Sequence, residues 1–278
     1  MSVNDTDEQI YNQLTDSLPE PGWRVVAGSV RGTSHEKTGQ PCQDAHHWQQ
    51  LPSGILVAAI ADGAGSAILG EVGATVATQA AVQVMESQLR LQNLEDEERS
   101  PGCSDRYREL LHNALKAALI EVEAEALRQQ AKVRDLAATL ILVIATPALV
   151  AAAQVGDGAA VVGDAAGELQ ALTAPQHGEY INETTFLISA DALETAQVNV
   201  WSGAATHIAV FSDGLQRLAL KLPAGNPHAP FFSPLFRFIT DTTDAAIAQE
   251  QLMAFLHSPR ITERTDDDLT LLLATLVR

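Results

Sequence analysis

The chain has 278 residues, enough for one large domain or two small ones, and 46% hydrophobic with 19% charged residues is the balance of a globular protein, not a disordered one. A formal net charge of −18 argues against the basic face of a nucleic-acid binder and against attraction to an anionic membrane surface. Cys42 and Cys103 make neither a metal-type spacing nor a disulfide framework, and nothing at the amino terminus reads as a signal peptide, so the expected setting is reduced and cytoplasmic.

Residues 1–20 are polar and acidic without a sustained period and read as a flexible arm; residues 21–278 read as a single domain. Alternation over 23–30 predicts a strand, followed by a loop over 31–41, a second strand over 42–48 and a third over 54–61. An Ala-rich segment over 66–91 has apolar residues at helical spacing with Ser66 as N-cap, and a second helix is expected from Ser104 to Lys132. Short strands follow at 139–145, 149–155, 159–162 and 169–172, with a hairpin loop at 163–167 and a further strand at 185–189. Residues 137–155 are apolar enough to raise the question of a membrane span. Thr146-Pro147 and the β-branched content favour two buried strands joined by a tight turn. Residues 221–234 read as a surface loop, 242–256 as a helix and 268–276 as the last strand. Strands, two helices, many strands, helix and strand together indicate an α+β domain of antiparallel sheets carrying helices on their outer faces.

Three apolar runs end in Asp-Gly: Ile60-Ala61-Asp62-Gly63, Val155-Gly156-Asp157-Gly158 and Phe211-Ser212-Asp213-Gly214. A fourth acidic group, Asp266-Asp267-Asp268, precedes the last run. One Asp-Gly is an ordinary turn signal. Several at the ends of neighbouring strands bring carboxylates to one sheet edge, where like charges disfavour mutual ionisation unless a cation is bound. An all-oxygen set without Cys or organised His suits Mg²⁺ or Mn²⁺. Two such ions about 4 Å apart would activate water and stabilise the oxygens of a phosphate ester, which points to hydrolytic phosphoryl transfer. Gly63 would let its carbonyl approach a metal closely.

The set Arg31-Gly32-Thr33-Ser34-His35, Pro41-Cys42-Gln43-Asp44-Ala45, Ala61-Asp62-Gly63-Ala64-Gly65-Ser66, Ala138-Thr139, Val155-Gly156-Asp157-Gly158, Phe211-Ser212-Asp213-Gly214-Leu215 and Asp267-Asp268-Leu269-Thr270 resembles the metal-dependent protein phosphatases of the protein phosphatase 2C (PPM) family, bacterial branch, over residues 23–277. The resemblance implies a four-layer αββα sandwich and hydrolysis of phosphoserine and phosphothreonine by a metal-activated water at a binuclear Mn²⁺/Mg²⁺ centre. It implies that Asp62 bridges both ions, that Gly63 offers its carbonyl, that Asp213 and Asp267 hold the first ion, that Asp157 serves a weaker third ion, and that Asp44 orients water. A phosphorylated protein substrate, a Ser/Thr kinase or its target, is the implied partner, and a monomer the implied state. Two departures stand out. Gln43 occupies the place of the usual Glu, and the phosphate-gripping arginine is replaced by His35, leaving His35, Arg31 or Lys37 to meet the phosphate. These departures motivate an alternative, a catalytically weak pseudophosphatase that binds phosphoproteins or a kinase. A nuclease-type two-metal phosphoesterase fits the carboxylates but not the acidic charge. His46 and His47 should face opposite sides of a strand, Cys42 lacks an activating partner, and Ser212 lacks the glycine pattern of a nucleophile elbow.

Overall fold

The computed structural model describes residues 22–92, 103–176 and 184–277; the arm expected over 1–20 lies outside the described residues. In chain order the elements are β1 Gly22–Val30, α1 Thr33–Thr38, β2 Asp44–Leu51, β3 Ile55–Asp62, α2 Gly70–Gln92, α3 Cys103–Arg128, β4 Leu140–Ala145, β5 Leu149–Val155, β6 Ala159–Asp164, β7 Leu169–Ala171, α4 Ala192–Thr195, β8 Gln197–Ser202, β9 Ala205–Phe211, α5 Gln216–Ala219, β10 Leu220–Lys221, β11 Asn226–Pro227, α6 Ala229–Asp241, α7 Ala245–Leu256, α8 Pro259–Thr262 and β12 Leu269–Val277. Two antiparallel five-stranded sheets, ordered β1-β12-β9-β6-β7 and β2-β3-β4-β5-β8, lie face to face, while α2 and α3 cover the second sheet and α6 and α7 the first. This is the αββα sandwich of the α+β class.

The strands read as unbroken apolar runs because both of their faces are buried. Leu56, Ala58 and Ile60 of β3 enter the layer between the sheets, whereas Val57, Ala59 and Ala61 pack against α2 and α3. In β4 the same alternation sends Ile141 and Val143 inward and Leu140, Leu142 and Ile144 toward the helices. Segment 137–155 is the β4–β5 hairpin, whose turn is held by Thr146 Oγ1 accepting from Ala148 N at 3.2 Å and Leu149 N at 3.1 Å. Among the described residues no helix is long and apolar enough to cross a membrane.

Four expectations need correction. Residues 33–38 form a short helix instead of loop. Helix α2 begins at Gly70 and not after Ser66, because the preceding loop is pinned by Leu69 N donating to Asp135 O at 2.8 Å and by Ala67 N donating to Ala64 O at 2.7 Å. The strand expected at 185–189 is absent: Leu187 N reaches Ala138 O at 2.8 Å, but no ladder continues. The loop expected over 221–234 contains a hairpin of two-residue strands, β10–β11, and the first half of α6, whose buried Phe232, Leu235, Phe236 and Ile239 follow helical spacing despite Pro234 in its interior.

Candidate metal centre

The strand alternation that builds the core also builds the site. Continuing the inward series of β3 beyond Ile60 puts Asp62 on the inter-sheet side, and Asp44 of β2 lies directly opposite it in the ladder. The same period carries Ser212 beyond Val210, and Thr270 before Leu272, into the mouth of the sandwich from the other sheet. Ser212 Oγ donates to Asp44 Oδ2 at 2.7 Å and accepts from Thr270 N at 2.9 Å, so the two sheets are cross-linked at Asp44.

Asp62, Asp157 and Asp213 each present a carboxylate oxygen, all within 4.8 Å of one another. Asp157 sits on the β5–β6 turn, which needs Gly156: its φ is +111° and a Cβ there would lie 2.5 Å from Thr139 Cγ2. Thr139 Oγ1 accepts from Asp62 N at 3.0 Å, while Thr184 Oγ1 donates to Asp157 Oδ2 at 2.8 Å and the Gln216 side-chain amide donates to the Asp157 carbonyl. Gly63 N donates to Gln43 O at 3.1 Å, and a Cβ at Gly63 would come within 2.5 Å of the Gly70 carbonyl carbon, so glycine is required there for packing alone. Asp267 is exposed at the rim, its Oδ1 accepting from Asp268 N at 2.9 Å, and its charge bears on both Asp62 and Asp213.

Burial pushes Asp44 up to about 7 despite donation from Ser212 and Thr270. Burial, then the charges of Asp157 and Asp267, pushes Asp213 up to about 7. Asp62 is raised well above the carboxylate range by burial and by Asp44, Asp213, Asp267 and Asp157 in turn, and burial also raises Asp267. Asp44 Oδ1 and Asp213 Oδ1 are buried without a hydrogen-bond partner among the described residues. Such atoms are costly when nothing meets them. Hard oxygen donors, mutual repulsion and unengaged lone pairs fit a divalent cation of the Mg²⁺ or Mn²⁺ type.

The substrate-side segment is organised differently. Asp268, buried, accepts from Gly32 N at 2.6 Å through Oδ1, and through Oδ2 from Gln43 N at 2.6 Å and His35 Nδ1 at 2.8 Å. His35 is therefore a buried member of α1 with Nδ1 engaged by Asp268, whereas Arg31 is exposed and donates to Gln40 O at 3.3 Å. Lys37 is exposed on α1. Gln43 Nε2 donates to Ala67 O at 3.2 Å, a bond that a glutamate could not make, and ties β2 to the loop before α2. His46 and His47 do part to opposite faces: His46 Nδ1 meets Ser29 Oγ at 2.9 Å between the sheets, and His47 is exposed. Burial pushes the Cys42 thiol far up, away from nucleophilic character. Sequence reasoning missed the parts played by Asp268, Ser212 and Thr270. Strand parity was the available signal, since all three fall in the inward series of their strands.

Comparison with known proteins agrees with this geometry. The family model for protein phosphatase 2C matches residues 31–257. The chain belongs to the protein phosphatase 2C family. Serine/threonine-protein phosphatase 3 of Escherichia coli (strain K12) is 37% identical over 258 residues, covering 91% of this chain and 98% of that protein. In fold, this family member matches a serine/threonine phosphatase from Staphylococcus aureus at a TM-score of 0.61 and 15% identity, over 94% of this chain and 98% of that one. It also matches the catalytic domain of the serine threonine protein phosphatase PstP, solved with two manganese ions, at a TM-score of 0.55 and 16% identity, over 93% and 100% of the two chains.

Proposed function

We propose that this protein phosphatase 2C family member hydrolyses phosphoserine and phosphothreonine in proteins, with two divalent ions, Mn²⁺ or Mg²⁺, as cofactor. The observation that carries the reading is the convergence of Asp62, Asp157 and Asp213 at the mouth of the sandwich. The 37% identical relative, named a serine/threonine-protein phosphatase, supports the substrate class. Asp62 is assigned as the shared ligand, the Gly63 carbonyl as a second donor, Asp213 and Asp267 as ligands of the first ion, and Asp157 as the residue for a weaker third. When bound, such ions supply Lewis-acid charge for the attack of water on a phosphate ester. Asp44, held by Ser212, uses its unengaged Oδ1 to orient water. Arg31, exposed at the head of the 31–43 segment, meets the phosphate, and His35 positions that segment through Asp268. Gln43 and His35 both have packing partners here, so neither departure from the family pattern requires a loss of catalysis.

The physiological partner is the phosphorylated target of a Ser/Thr kinase, or the kinase itself, and the enzyme works as a cytoplasmic monomer of 29.6 kDa. The test is turnover of p-nitrophenyl phosphate and of a phosphothreonine peptide with Mn²⁺ against chelator, in the native chain and in Asp62→Asn. Turnover that survives chelator or the substitution would overturn the reading. Light scattering on the eluted protein checks the monomer.

A further inference from the structure

Away from the carboxylate mouth, on the outer face of the first sheet, α6, α7 and α8 enclose a groove of about 830 Å³. Its walls carry the half-buried rings of Phe231, Phe238 and Phe255. Its rim carries Arg217, Arg260 and Arg264, all exposed, and among the described residues none of the three forms an ion pair. Among the described residues Glu263 is the only acidic one lining the groove. In a chain with 35 acidic and 17 basic residues, chance would place about twice as many acids as bases around any such opening. The local sign is inverted. Unpaired guanidiniums beside aromatic walls favour a ligand that is both anionic and apolar.

Position identifies what kind of ligand. Arg217 lies on α5, four residues after Asp213, and Arg264 lies three residues before Asp267, so chain connectivity ties two of the groove's arginines to the segments that carry the metal-edge aspartates. Pro230 and Pro234 both line the groove, and Pro234, inside α6, has no N–H to offer the carbonyl of Pro230. An extended peptide can offer it an N–H, whereas a simple anion cannot.

We propose that this groove docks the segment of the phosphoprotein substrate flanking the phosphorylated residue, and that this segment is acidic with interspersed large apolar side chains. The assignment rests on the phosphatase reading. The phosphate enters the metal edge while the flank lies across the phenylalanine walls under the three arginines, which adds selectivity without touching the reacting atoms.

The test uses the full chain and three substrates: p-nitrophenyl phosphate, a phosphothreonine peptide with an acidic Leu/Phe-containing flank, and one of equal length with a basic flank. The native chain should prefer the acidic peptide by about tenfold in kcat/KM, chiefly through KM. Arg260→Glu combined with Arg264→Glu should abolish that preference while leaving aryl phosphate turnover within about twofold, because small substrates make no use of the groove. Should the charge-reversed protein fold poorly, Arg260→Gln with Arg264→Gln should reduce the preference in the same direction. Equal use of both peptides by the native chain, or a preference that survives the substitutions, would overturn the docking proposal. So would a native dimer that the substitutions dissociate, since a second copy would then be the occupant. Absence of aryl phosphate turnover in the native chain would instead remove the phosphatase reading itself.

Discussion

Buried Asp268 and the half-buried cluster of Asp62, Asp157 and Asp213 lie within one edge of the sandwich and behave in opposite ways. Asp268 is saturated: Gly32 N, Gln43 N and His35 Nδ1 all donate to it, and it fastens the 31–43 segment to the start of β12. Asp62, Asp157 and Asp213 have each other for neighbours, and desolvation first, then their mutual repulsion, keeps Asp62 and Asp213 above the ordinary carboxylate range. The difference shows how one chemistry serves two ends. A carboxylate surrounded by N–H groups is a structural clamp, while a carboxylate surrounded by carboxylates stores a demand for positive charge.

The contrast can be broken most forcefully at the cluster. Asp213→Asn should lower metal-dependent turnover by about 10³-fold or more, a loss of about 4 kcal/mol in transition-state stabilisation, yet leave the metal-free melting temperature unchanged or raised because a repulsive charge is gone. A falling melting temperature would place Asp213 with Asp268 as a structural group. Asp268→Ala should do the reverse: it removes the acceptor of three buried donors and should cost about 3–5 kcal/mol of stability, read from urea unfolding. Stability equal to that of the native chain would show that the clamp is dispensable.

The pH dependence of the metal-free protein sharpens the comparison further. Asp44 and Asp213 sit at about 7 in the folded chain, above the ordinary value of 3.8. Folded carboxylates with raised pKa values hold protons that the unfolded chain has released. Their stabilising contribution is therefore full below about pH 4 and is lost as the pH climbs through about 7. Melting temperatures of chelated protein should fall across that window, and Mn²⁺ should flatten the slope; a flat profile without metal would remove the stored repulsion. The smallest effect is expected at Gln43→Glu, which gives up the bond to Ala67 O for an added charge near the cluster. Metal-free stability should drop by about 1 kcal/mol while Mn²⁺ affinity, measured by calorimetry, rises. Unchanged affinity would place Gln43 outside the reach of the ions.

Most of the sandwich was legible because burial on both faces leaves long apolar runs: β3, β4, β5, β9 and β12 announce themselves in Leu56–Ile60, Leu140–Ala145, Val150–Ala153, Ile208–Phe211 and Leu271–Ala274. The cluster was legible too, since Asp-Gly at a strand end is both a turn signal and a carboxylate at an edge. What could not be read was decided by contacts distant in sequence. His35 stood beside Arg31 and Lys37 as a candidate for the phosphate, and its bond to Asp268 was not legible because that partner lies over two hundred residues away. Helix α6 was hidden by its two prolines: Pro230 sits in the first turn, where proline is compatible with a helix, and Pro234 is a local veto that the packing of Phe232, Phe236 and Ile239 overrides. The false start of α2 at Ser66 has the same origin, since Asp135 and Gln43 hold that loop out of the helix.

The alternation along β3 has a consequence for how much length variation the chain tolerates. Leu56, Ala58, Ile60 and Asp62 form one inward series, so inserting or deleting a single residue anywhere between Ile55 and Ala61 turns Asp62 toward the helices and buries its carboxylate against α2. The hairpin loop between β6 and β7, on the edge of the other sheet, carries no such phase and can grow or shrink without moving a ligand. Catalytic competence is thus a matter of odd and even: a scan of single-residue insertions should divide the chain into stretches that count residues and stretches that do not.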